Sequence, residues 1–85
     1  MFGNESWYTL KIQFDRISDV KEFSILADKA IGKVIVISSN NYIADGRSLL
    51  GLFGLDLSEP VQIEVANEDD YSAIFDFCKK KGLVT

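Results

Sequence analysis

Two segments of this chain alternate apolar and polar side chains with a period of two, and each is followed by a segment of helical period. In "WYTLKIQF" the residues Tyr8, Leu10, Ile12 and Phe14 fall on one side, with Thr9, Lys11 and Gln13 on the other. In "PVQIEV" Val61, Ile63 and Val65 share a side opposite Gln62 and Glu64, and Pro60 opens the run where a strand tolerates proline. Alternation of this kind belongs to strands with one face in a core and the other toward water. Helices must then lie on one side only, which makes the expected architecture α+β in two layers. With 85 residues, one domain spanning 1–85 is expected.

After the first strand, Val20, Phe23, Leu26, Ala27, Ala30 and Ile31 recur at spacings of three and four, with Ser18 or Asp15 as possible N-caps and Gly32 as the stop. "KVIVISS" is a β-branched run suited to a strand buried on both faces or nearly so. "SSNN" then supplies turn chemistry leading to "YIAD", a short partner strand. Behind the second alternating strand, Asn67 is placed to cap a helix whose first turn holds Glu68, Asp69 and Asp70. Its apolar stripe is Tyr71, Ile74, Phe75 and Cys78, and Lys79 to Lys81 complement its negative end before Gly82.

Composition removes several functions. Thirteen acidic against nine basic residues leave a net charge of −4, which repels phosphate backbones and argues against nucleic acid as a partner. The chain has no histidine and one cysteine, so zinc has no ordinary ligand set and no internal disulfide forms; neither metal nor cofactor is expected. No apolar run approaches the roughly 20 residues needed to span a bilayer, so no membrane partner is expected. "MFGNESWYTL" lacks the basic start and apolar run of a secretory signal, and the expected location is the cytoplasm.

The segment "IADGRSLLGLFGLD" concentrates glycine and leucine. Gly46, Gly51 and Gly54 do not fit the spacing of a phosphate-binding loop, and no Lys-Ser or Lys-Thr pair follows them. Ser48 fits the N-cap of a helix shorter than two turns, ended by Gly54, that presents Leu49, Leu50, Leu52 and Phe53. Such a helix is too short to bury all four, so part of this surface is a candidate for binding another protein.

The element order β-α-β-β-α-β-α, together with "SSNNYIADGRSLLGLFGLDL" and "EPVQIEVANEDD", resembles HPr, the small phosphocarrier of the bacterial sugar phosphotransferase system. The resemblance covers nearly the whole chain, and "GRSLLGLFGLDL" is its most specific part. It implies an open-faced β-sandwich, a four-stranded antiparallel sheet covered on one face by three helices. It also implies a serine, here Ser48, open to phosphorylation by a dedicated kinase, with Arg47, Leu49, Leu50 and Phe53 beside it as partner-binding candidates.

One departure from that family is chemical. HPr proteins carry a phosphorylatable histidine in a "GLHARPA"-like segment where this chain has "FDRISDVKEF". Phosphocarrier chemistry needs a nitrogen nucleophile that takes and returns a phosphoryl group, and none exists here. The expected function is therefore a non-enzymatic, protein-binding regulatory domain, with a kinase or a transcription regulator as partner. A histidine-lacking HPr paralogue acting as a corepressor partner in carbon catabolite control is the precedent. For Ser48 a simpler reading stands beside the regulatory one, since an N-cap explains serine without any partner. Two alternatives remain: an anion-binding or phosphotransfer protein using Arg16, Ser18 and the free donors at the first helix, or a structural module unrelated to sugar transport.

Overall fold

A computed structural model describes residues 7–85; residues 1–6, on which part of the secretory-signal reading falls, lie outside the described residues. The elements follow in the order β1 (Tyr8–Ile12), α1 (Ile17–Asp28), β2 (Val34–Ile37), β3 (Ile43–Asp45), α2 (Leu49–Phe53), β4 (Val61–Val65) and α3 (Glu68–Lys80). The four strands form one sheet in the order β1-β4-β2-β3, every neighbouring pair antiparallel. This is the open-faced sandwich of the HPr type, with three helices on one side of the sheet.

Alternation sets which face is covered. Leu10 and Ile12 of β1, Val34 and Val36 of β2, Ala44 of β3 and Val61, Ile63 and Val65 of β4 are all buried. They meet Val20, Phe23 and Ala27 of α1, Leu52 of α2 and Ile74 and Cys78 of α3 in one continuous core. Phe14 lies beyond the end of β1 yet remains buried, its ring edge-on to Phe23 at 5.5 Å between centroids. Ile35 and Ile37 correct one expectation: on the uncovered face they are only half-buried, so β2 is covered on one side and not two. Tyr8 corrects another, because it belongs to the covered face but stands on the sheet's edge and remains 36% exposed, its ring against Tyr71.

The helix ends also differ from expectation. Arg16, and neither Ser18 nor Asp15, is the N-cap of α1. Its own side chain has no acceptor, and the cap works in reverse: Asp19, three residues on, accepts the Arg16 backbone N–H at 3.2 Å. At the other end α1 stops at Lys29, so Ile31 leaves the apolar stripe and is 82% exposed. The chain is turned there by Asp70, whose carboxylate accepts the backbone N–H groups of Ile31 at 3.1 Å and Gly32 at 2.8 Å. α3 is as expected: Asn67 accepts from Asp70 N–H at 3.0 Å, and Gly82 adopts the left-handed conformation, φ 74°, that ends the helix.

Candidate functional site

α2 is positioned by its two neighbours. Ser24 Oγ of α1 donates to the Arg47 carbonyl at 3.2 Å, and Gln13 Nε2, ahead of α1, donates to the Leu57 carbonyl at 3.0 Å. Residue 47 therefore lies beside the third turn of α1 and residue 57 beside its beginning, so α2 runs antiparallel to α1. Leu52 is the anchor, fully buried, while Gly51 packs close enough to β3 that an added Cβ would stand 3.6 Å from the Cβ of Ala44.

Ser48 is the N-cap of α2, its Oγ accepting the Gly51 N–H at 3.0 Å while the residue remains exposed. Gly54 is the C-cap in a right-handed conformation, so the helix ends there without a left-handed glycine. Of the partner-binding candidates, Leu49 is half-buried, Leu50 is 87% exposed and Phe53 is 41% exposed. Arg47 is exposed but engaged: its Nη2 lies 3.2 Å from Asp45 Oδ2, and its backbone N–H donates to Asp45 Oδ1 at 2.9 Å. Those hydrogen bonds from the Arg47 side chain and backbone hold the Asp45 carboxyl below its ordinary value.

Ile17 is the residue that sequence reasoning missed. It is exposed, lies seven residues before Ser24 on the same side of α1, and so stands toward the end of α1 that the C-terminal end of α2 approaches. Its spacing from Ser24 was readable; the side on which α2 packs was not.

The anion-binding candidates are placed differently. Arg16 pairs with Asp15 at 3.7 Å, both side chains mostly exposed, and Ser18 is inside the first turn of α1. Asp19, buried at that turn, brings a carboxylate to the donors an anion would use, and Lys81 lies 3.6 Å from it while also pairing with Glu22 at 2.9 Å. Arg16 and Ser18 are thus not brought together around an open site, and they lie at the opposite end of α1 from the Ser24–Arg47 contact. A depression of about 430 Å³ lined by Lys11, Ile37, Ser38, Asn41 and Gln62 opens on the uncovered side of the sheet, away from Ser48. Among the described residues no cluster of His, Cys, Asp and Glu side chains could hold a metal ion, and no helix is long and apolar enough to cross a membrane. Comparison with protein-family models, curated proteins and solved structures gives no significant match.

Proposed function

We propose that this chain is a non-enzymatic regulatory domain of the bacterial cytoplasm, akin to HPr but without its phosphocarrier step, that docks on another protein through α2. The observation that carries this reading is the exposure of Leu50 and Phe53 on a five-residue helix pinned by the buried Leu52. Leucine and phenylalanine exposed on one short helix leave apolar area for a partner to bury. Ser48 lies one residue ahead of that surface, and the resemblance to HPr makes it the acceptor of a kinase. A phosphate there would add about two negative charges next to Leu49 and Leu50, and the donors at the start of α2 favour an anion.

The test uses the HPr serine kinase with ATP, followed by binding to the transcription regulator of carbon catabolite control. The expected result is one phosphate per chain, absent in Ser48→Asn, and binding that requires the phosphate and is lost in Leu50→Glu. If the kinase leaves the chain unmodified and the regulator binds neither form, the HPr-like role is wrong and the structural-module reading takes its place.

A further inference from the structure

The depression on the uncovered side of the sheet is built from one cross-strand row and one turn. Lys11 of β1 stands opposite Gln62 of β4, and Gln62 stands opposite Ile37 of β2, so three side chains in line form its floor. Pro60, just ahead of β4, and Ser39 and Asn41, in the turn between β2 and β3, complete the lining. Its volume, 430 Å³, is that of a small-molecule site. The described chain enters β1 at Trp7, the far end of the strand from Lys11, and residues 83–85 pass along the outer side of β1 from Gln13 toward that same far end.

Ser38 fixes the turn. Its hydroxyl, buried in the lining, donates to Asn40 Oδ1 and accepts the Tyr42 N–H at 3.2 Å, while its carbonyl accepts the Asn41 N–H at 2.9 Å. These bonds hold Asn41 at φ 69°, a left-handed conformation that asparagine tolerates. That wall is therefore set in the free chain, and a ligand meeting it has little ordering to impose.

The polar groups on the lining have one sign of demand. Lys11 is its one charged residue, in a chain whose net charge is −4, and among the described residues no carboxylate pairs with it. The Ser39 hydroxyl and the Asn41 side-chain amide likewise have no partner among the described residues. Gln62 Nε2 donates to Glu64 Oε2 at 2.7 Å, which leaves the Gln62 amide oxygen as an acceptor. One cation, two neutral donors and one acceptor thus surround an apolar floor of Ile37 and Pro60.

We propose that this depression binds a small organic anion, a monocarboxylate that carries a hydroxyl group and a short branched hydrocarbon. The carboxylate pairs with Lys11 and takes the donors of Ser39 and Asn41, the hydroxyl donates to the Gln62 oxygen, and the hydrocarbon covers Ile37 and Pro60. A single negative charge fits better than two, because one lysine neutralises one charge and Glu64, held beside Gln62, repels a second. The site lies on the opposite side of the sheet from α2, so neither it nor the reading of Ser48 depends on the other.

The test is an amide chemical-shift titration of the full chain with 2-hydroxy-3-methylbutanoate, carried to about 20 mM to fill a millimolar site. Its uncharged amide and sodium chloride of equal ionic strength are the controls. The expected result is saturable movement at Lys11, at residues 37–41 and at Gln62, with a Kd of about 1 mM and neither control reproducing it. Lys11→Gln, which removes the charge from an exposed side chain, should weaken binding about tenfold, as the loss of one charge-assisted bond does. Asn41→Gly keeps the left-handed backbone and removes only the side-chain amide, and should weaken binding about threefold. Should either variant fail to fold, the two controls decide with the unaltered chain. Equal movement with chloride would mean a solvated lysine and no site. Equal binding of the amide, undiminished binding by either folded variant, or no saturable movement at these residues overturns the proposal.

Discussion

The carboxylate of Asp70 lies 2.8 Å from the backbone N–H of Gly32, thirty-eight residues earlier in the chain. The same side chain accepts from Ile31 at 3.1 Å, so one buried acid in the first turn of α3 takes two donors of the turn between α1 and β2. Because α1 and α3 are antiparallel, this contact fastens one end of the helical layer and the Lys81–Glu22 pair the other. Asp70→Ala leaves both N–H groups without their acceptor and is expected to cost about 3 kcal/mol. Asp70→Asn keeps one accepting oxygen and is expected to cost about half as much. Urea unfolding of the three proteins checks the order, and an Asp70→Ala chain as stable as the unaltered one would remove the pin from the account.

How much of this was readable beforehand depends on range. The strands at Tyr8–Ile12 and Val61–Val65, the Asn67 and Ser48 caps and the Gly82 stop follow from spacing within a few residues, and all are observed. The role of Asp70 at Ile31 and Gly32 was not readable, because as an ordinary first-turn acid it already had a local reason to be there. The cap at Arg16 was hidden for another reason: arginine cannot accept, and the acceptor is Asp19 reaching back. Exposure at Leu50 and Phe53 depends on which side of α2 faces Ala44, and the place of β1 at the sheet's edge depends on the strand order β1-β4-β2-β3. Both are set by pairings distant in the chain, which local periodicity does not carry.

Gly46 closes the β2–β3 pair, its N–H donating to the Val34 carbonyl at 2.8 Å. A Cβ at this position would stand 2.8 Å from Val34 Cγ1 and 3.1 Å from Val34 O, and the second is backbone that cannot turn aside. Gly46→Ala is expected to destabilise by about 1–3 kcal/mol, as other overpacked sites do. Thermal unfolding measures it, and a midpoint unchanged or raised would show that β3 shifts without cost.

Asp45 supplies a pH prediction. Its carboxyl lies below the ordinary 3.8 because the Arg47 side chain and backbone donate to its charged form. A group with a lowered folded value contributes stability above its unfolded value and loses it as pH falls through the folded one. The Asp45–Arg47 contribution is therefore complete at neutral pH and disappears below the ordinary carboxylate range. It is small, because both side chains are half exposed. Carbon-detected titration of the Asp45 carboxyl should show its midpoint rise in Arg47→Ala; an unmoved midpoint would mean that Arg47 is not its partner in solution.

Cys78 is fully buried, and that burial pushes its thiol up to about 12. Thiolate is the reactive form, so the native chain is expected to be inert to a disulfide reagent at pH 8 and to react fully once unfolded in denaturant. Fast labelling of the native chain would place the α3 face at Cys78 open to solvent and refute the core as described.

Ser48 and Gly51 make a prediction about coupling. Ser48→Ala loses the bond to the Gly51 N–H and is expected to cost about 1 kcal/mol, whereas Ser48→Asn retains an accepting oxygen and costs little. Gly51 sits inside α2, where alanine alone would favour the helix by about 1 kcal/mol. Its added Cβ, however, would stand 3.0 Å from Ser48 Oγ, which opposes that gain. With Ser48→Ala the oxygen is gone and the nearest atom is Ser48 Cβ, 3.3 Å away, so Gly51→Ala is expected to be better tolerated. A double-mutant cycle should then give a coupling of about 0.5–1 kcal/mol, the double variant being more stable than the two single losses add to. Strict additivity would mean that Ser48 Oγ does not sit over Gly51, and the cap would have to be reassigned to another residue.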